Sequence, residues 1–185
     1  MSLRHLLELS ELAKQSAADL DDAVARYVEM VRESIAGGGT VYFAGNGGSA
    51  AHAQHIATEY VVRYKAVKRR AVSVIALSTD SSLLTASAND LGFDEIFARQ
   101  VEAHGKNGDV LVLVSTSGNS KNLLKAAAAA KTRGVATVGL LAAGGGPLAQ
   151  MVDLAIVVPT SDTALAQEVQ LAIDHHVCSL IESAL

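Results

Sequence analysis

Tryptophan is absent from the 185 residues, aromatics make up only 4%, and there are two prolines and a single cysteine. With Cys178 alone, no intrachain disulfide and no cysteine-built zinc module can form, which suits a reducing compartment. No excess of positive charge exists either. Fifteen basic against 19 acidic residues leave a net −4, so the chain has no general electrostatic attraction for nucleic acid or an anionic membrane, and any phosphate must be held locally. No stretch approaches the roughly 20 consecutive apolar residues that cross a bilayer. The opening MSLRHLLELSELAKQ sets Arg4, His5 and Glu8 among its leucines, an amphipathic helix without a signal peptide's unbroken apolar segment. These absences predict a cytoplasmic protein with neither nucleic acid nor membrane as partner.

Half the residues are hydrophobic and 18% are charged, so the chain can bury a large core. Its length is that of one domain, expected over 1–185 with a helical region 1–36 and an α/β core 37–185. Leu3, Leu6, Leu7, Leu9 and Leu12, then Leu20, Val24, Tyr27, Val28, Val31 and Ile35, recur at spacings of three and four, the period of a helix. Gly37, Gly38 and Gly39 end that region. Beyond it, apolar runs at Thr40–Ala44, Ala71–Leu77, Val110–Val114, Val135–Leu141 and Leu154–Val158 alternate with helical stretches. Continuously apolar strands are covered on both faces, and helices between them supply crossovers. The expected fold is a doubly wound α/β layout, a five-stranded parallel sheet flanked by helices. Ala126–Ala130 lies in a slim helix predicted over Asn119–Lys131 that packs close to the sheet. Lys65, Lys68, Arg69 and Arg70, without aromatic interleaving, read as a solvated loop.

Two loops carry ligand chemistry. Gly45-Asn46-Gly47-Gly48-Ser49-Ala50 follows the first strand and opens a helix, where glycines admit a ligand to the backbone and free N–H groups attract an anion. The same letters satisfy G-x-G-x-x-A, so a dinucleotide reading stays open, with Asp80 the nearest candidate for a ribose partner. Ser115-Thr116-Ser117-Gly118-Asn119-Ser120 ends the third strand. A helix cap needs one hydroxyl or amide side chain and this loop has five, which favours a phosphorylated small molecule over a nucleotide.

These loops, with Asn-Asp-x-Gly-Phe at Asn89–Phe93 and Thr-Ala-x-x-Gln-Glu at Thr163–Glu168, resemble the sugar isomerase (SIS) domain and, within it, the phosphoheptose isomerases. The resemblance runs from about Val41 to the C-terminus. It implies interconversion of sedoheptulose 7-phosphate and D-glycero-D-manno-heptose 7-phosphate, heptose supply for lipopolysaccharide or another glycan, a homotetramer, zinc, and sites near subunit boundaries. It assigns Asn46, Gly47, Gly48, Ser49, Asn89 and Asp90 to the sugar, Ser115, Thr116, Ser117 and Ser120 to its phosphate, and His55, Glu59, Gln167 and His175 to zinc, with Glu59 and Gln167 also touching substrate. Leu165 stands where the family often has arginine.

Spacing supports part of this. His55 and Glu59, four apart, share a helix face and can approach one ion through nitrogen and oxygen donors suited to zinc or another divalent metal. Gln167 and His175, eight apart, are separated by about 12 Å along a straight helix, so either ligands converge from more than one subunit or one of the two stands back from the ion. Glu59 and His175 are the expected catalytic acid/base pair. His52 and His176 read as helix-face neighbours, and His5 and His104 as structural. A non-catalytic SIS adaptor or sugar-phosphate sensor, such as a partner of the bacterial replication initiator, is the competing class; that adaptor lacks counterparts of Glu59 and His175.

Overall fold

The structure, a computed structural model, describes residues 3–185; the first two positions of the expected helical region lie outside it. The chain runs α1 (Arg4–Asp19), α2 (Asp21–Ala36), β1 (Val41–Gly45), α3 (Gly48–Val61), β2 (Val74–Ala76), α4 (Ser81–Asp90), α5 (Ala98–His104), β3 (Val110–Ser115), α6 (Lys121–Arg133), β4 (Ala136–Ala142), β5 (Leu154–Val158) and α7 (Thr163–Glu182). All five strands are parallel, in the order β2-β1-β3-β4-β5. The doubly wound sheet is as expected. The periodic segment up to residue 36 is two helices, because Leu20 leaves helical geometry and Asp21 and Asp22 start α2 where a helix dipole favours acids. The second strand is shorter than its apolar run: at the sheet edge it pairs only with β1, over three residues.

Alternate strand residues feed two cores. Val41, Phe43, Val110, Val112, Val114, Val138 and Leu140 face α2, α3 and α7, which add Tyr27, Val31, Ile56, Tyr60, Val177 and Ile181. Tyr42, Ala44, Leu111, Leu113 and Leu141 face the opposite layer, where α5 and α6 pack. On that side large strand leucines meet small helix residues, Ala126, Ala127, Ala129 and Ala130, all buried, so the alanine helix sits close to the sheet. Gly134 stops α6 with a left-handed φ of 69°. Asp162 starts α7 by accepting the N–H groups of Ala164 and Leu165, a cap worth about 1 kcal/mol. No described helix is long and apolar enough to cross a membrane.

Residues 62–73 join α3 to β2 without regular structure, and here Lys65, Lys68 and Arg70 are exposed as expected while Arg69 departs from the cluster. The Arg69 side chain is only 4% exposed and pairs with Glu182, at the end of α7, with Nε 2.9 Å from Oε1. Glu182 also accepts the backbone N–H groups of Tyr64 (2.9 Å), Lys65 (2.7 Å) and Ala66 (2.8 Å). Burial alone would raise this carboxyl, but the three N–H donors and the guanidinium outweigh it and hold it at about 2, against 4.5 ordinarily. A depressed folded value means that the stabilisation is complete above pH 4.5 and drains away as pH falls towards 2. Glu182→Gln is therefore expected to lower the urea midpoint at pH 7, with the gap from wild type closing between pH 4.5 and 2. A gap constant across that range in stepped-pH denaturation would assign the loss to something other than the charge.

Candidate active site

Strands β1 and β3 are neighbours, yet their following helices go to opposite faces, α3 to one and α6 to the other. Such a reversal leaves a crevice at the carboxyl ends of the strands, bordered by two helix N-termini. Both motif loops lie there. Gly47 holds φ at +55° in the position before α3, and a Cβ on Gly48 would come 2.8 Å from Gln167 Nε2, so the amide of α7 lies directly against the loop. Asn46, expected to face the sugar, spends its amide on Asn122 of α6: each Nδ2 donates to the other's Oδ1, at 3.0 and 2.9 Å. This pair laces the two loops together across the crevice.

The serine loop is shaped by its own hydroxyls. Ser115 Oγ accepts the Gly118 N–H at 3.0 Å and Ser117 Oγ accepts that of Asn119 at 3.3 Å. Ser120 occupies the cap position of α6 but makes no side-chain capping bond. Behind the loop stands a turn that the motif analysis passed over, Ala143–Gly146, four successive residues with φ between +48° and +82°. Leu148, just beyond it, donates its N–H to the Gly118 carbonyl at 3.1 Å. A Cβ on Gly118 would overlap the Gly145 carbonyl oxygen. The Gly-Gly-Gly-Pro run was the visible signal for this turn.

Helices α3 and α7 each leave a parallel strand and run back over the same face, so they pack in the same sense: Gly48 meets Gln167, His52 meets Asp174 and His55 meets His175. Between them opens a cavity of about 370 Å³ lined by Gly48, Ala51, His52, His55, Gln167 and Glu168, among others. Donor atoms of His55, Glu59 and His175 lie within 4.8 Å of one another. His55 Nε2 is 3.2 Å from His175 Nε2 and 3.3 Å from Glu59 Oε1. Two ligands of a tetrahedral zinc, each about 2.0–2.1 Å from the ion, stand roughly 3.3–3.4 Å apart. The donor set fits a zinc-like ion, and all three donors come from one chain. Gln167, two turns earlier in α7, has its amide against Gly48, so the eight-residue spacing does separate it along the helix.

Burial first, and then neighbouring His55, push the His175 imidazole below its ordinary value, favouring a neutral ring with a lone pair to offer. Behind the cluster the buried Asp174 carboxylate accepts from Tyr27 Oη at 2.8 Å and pairs with His52 Nε2 at 2.7 Å. Burial, and then the Asp174 charge, raise the Tyr27 phenol well above its usual range, so Tyr27 stays a donor. His52 thus anchors α3 to α7 and does not join the cluster. Exposed His176 faces an apolar groove among α1, α2 and α7, and His5 of α1 meets Glu168 at 2.9 Å. Asn89 and Asp90, exposed at the end of α4, bond each other at 2.7 Å and do not line the cavity. Asp80, the candidate ribose partner, instead caps α4 by accepting the Leu83 N–H at 2.9 Å. Leu165 is buried with Leu12 and Val158.

Comparison with known proteins bears on this arrangement. The SIS domain profile matches residues 5–142. The phosphoheptose isomerase of Rhodospirillum rubrum is 51% identical over 168 residues, 90% of this chain and 88% of its own, and that of Geobacter sulfurreducens is 48% identical over 90% and 88%. Among solved structures, the phosphoheptose isomerase of Neisseria gonorrhoeae superposes with a TM-score of 0.92 at 37% identity, covering 97% of this chain and 96% of that one. Similarity of this extent carries the isomerase name and not an adaptor's: the chain belongs to the SIS domain family and, within it, to the phosphoheptose isomerases.

Proposed function

We propose that the chain is an aldose-ketose isomerase that converts sedoheptulose 7-phosphate to D-glycero-D-manno-heptose 7-phosphate. The observation that carries this reading is the convergence of His55, Glu59 and His175, with donor atoms within 4.8 Å of one another, beside the cavity between α3 and α7 that His55 lines. From Gly48 to His55 the wall of the cavity spans about 10 Å of helix, of the order of an open seven-carbon chain. Thr116, Ser117, Ser120 and the first N–H groups of α6 hold the phosphate, with Ser115 fixing the loop. Gly47, Gly48, Ser49 and Gln167 border the sugar, and Asn46 sets the loop through Asn122. Asn89 and Asp90 belong to the sugar-facing set by resemblance.

The reaction moves one proton from C1 of the ketose to C2 and another from O1 to O2, through an enediol. Glu59 and His175 are the acid/base pair. Glu59 Oε1 faces His55, which leaves Oε2 to take or return a proton, and His175 is the second group, acting when its lone-pair nitrogen is not engaged by the ion. A zinc or similar divalent ion held by His55, Glu59 and His175 would supply polarisation of the substrate oxygens; Gln167, two turns away, belongs to the metal set by resemblance. Anchoring the phosphate far from the reacting carbons turns binding energy into orientation. We further propose a cytoplasmic homotetramer of single-domain chains; the exposed Leu3, just before α1, and Leu6 and Leu7 on it support self-association.

Glu59→Gln and His175→Ala are each expected to lower kcat by about 10²- to 10⁴-fold, the range for a lost proton-transfer group, with circular dichroism unchanged. Near-normal turnover by either variant would remove it from the pair, and chelation should abolish an activity that zinc restores. Ser117→Ala should raise KM about 10- to 100-fold, as expected for one lost hydrogen bond to a charged group, and leave kcat alone. An unaltered KM would contradict the phosphate cradle.

A further inference from the structure

We infer that Tyr64 is a positioning residue for His175, and that the buried Glu182–Arg69 pair holds it in place. The inference rests on the reading of the cluster given above and adds residues that neither the motifs nor the spacing pointed to. The Tyr64 ring stacks on the His175 imidazole, with centroids 5.4 Å apart and planes inclined by 12°. His55 meets the same imidazole edge-on, with centroids 5.0 Å apart and planes at 64°. Between a stacked ring and an edge-on ring, the imidazole loses the freedom to turn about its side-chain bonds, and its Nε2 is kept towards His55 and Glu59. An aromatic pair of this kind is favoured beyond its simple burial.

Tyr64 cannot owe its place to regular structure, because it lies in the irregular segment 62–73. Glu182 supplies the missing constraint. One carboxylate takes three successive N–H groups, those of Tyr64, Lys65 and Ala66, and so fixes the backbone from which the ring projects. Arg69, paired with the same carboxylate, also donates through Nη2 to the main-chain carbonyl of Glu59. Glu182 is seven residues beyond His175, two turns along the same helix and on the same face. The Glu182–Arg69 pair thus touches the backbone of one member of the acid/base pair, the loop that stacks on the other, and the helix bearing that other. Lys65 Nζ lies over the Tyr64 ring at 4.8 Å, a further tie within the loop.

The test uses the full chain, stripped of metal and titrated with cobalt(II), whose visible spectrum reports the number and geometry of its ligands, alongside isomerase kinetics. Tyr64→Phe keeps the stacking face and is expected to match wild type throughout. Tyr64→Leu keeps bulk without the ring and is expected to bind cobalt about tenfold more weakly, the low end of the loss seen when a group orienting a metal ligand is removed. Its cobalt spectrum should change, its kcat should fall comparably with KM unchanged, and its melting temperature should hold. Glu182→Gln should show the same cobalt defect. A Tyr64→Leu protein with wild-type cobalt affinity and spectrum overturns the inference, as does a Tyr64→Phe protein that loses as much as Tyr64→Leu. If wild type fails to isomerise sedoheptulose 7-phosphate while the cobalt differences persist, the proposed reaction falls and the positioning role stands.

Discussion

Two adjacent parallel strands that send their helices to opposite faces cannot roof the space above their own carboxyl ends. The placement of both ligand loops follows from that constraint. It places the N-termini of α3 and α6 on either side of one crevice, and both termini present unpaired N–H groups to the same small volume. The Asn46–Asn122 amide pair then fixes the distance between the two loops. Reciprocal amide bonding uses both donor and acceptor on each side, so a change in either residue leaves a polar atom of its partner unsatisfied in a part-buried place, at a cost of about 1–3 kcal/mol.

The second constraint is the common direction of α3 and α7. Helices that pack in the same sense meet their residues in the same order, so Gly48, His52 and His55 find Gln167, Asp174 and His175 in turn. The cluster of His55, Glu59 and His175 is a product of helix register, and a shift of one residue in either helix would rotate its donors by about 100° and disperse them. The His52–Asp174–Tyr27 network fixes that register against slippage, since α2, α3 and α7 each contribute one member.

The parts of this arrangement written as local pattern were legible in the sequence. Continuous apolar runs marked all five strands, and the run of alanines marked the helix nearest the sheet. The glycine and serine loops stood out because their composition exceeds what a turn or a cap requires. His55 and Glu59 could be paired by their four-residue spacing alone. Their meeting with His175 could not, because it depends on α3 and α7 lying side by side, a fact of tertiary packing with no local signature. Arg69 shows the opposite failure: among Lys65, Lys68 and Arg70 it read as one more solvated cation, and only the partner 113 residues away distinguishes it. Asn122 and Asp174 were hidden for the same reason, each being an ordinary helix residue until the fold supplies its counterpart.

The distribution of buried polar groups shows how the chain divides its tasks. The layer of α5 and α6 packs on the sheet almost entirely through leucine, valine and alanine, where area burial alone gives favourable energy at about 25 cal/mol per Å². Between α3, α7 and the loop after α3, the chain instead buries His52, Asp174, Arg69 and Glu182. Desolvating such charges offsets most of what their pairing returns, and apolar substitutes of similar volume often give equal or greater stability. Apolar packing, however, tolerates small slides and rotations of a helix, whereas a carboxylate that must meet three N–H groups and a guanidinium does not. Directional bonds at this one interface therefore hold two imidazoles and a carboxylate within reach of a single point, while the opposite side of the sheet is left to supply stability.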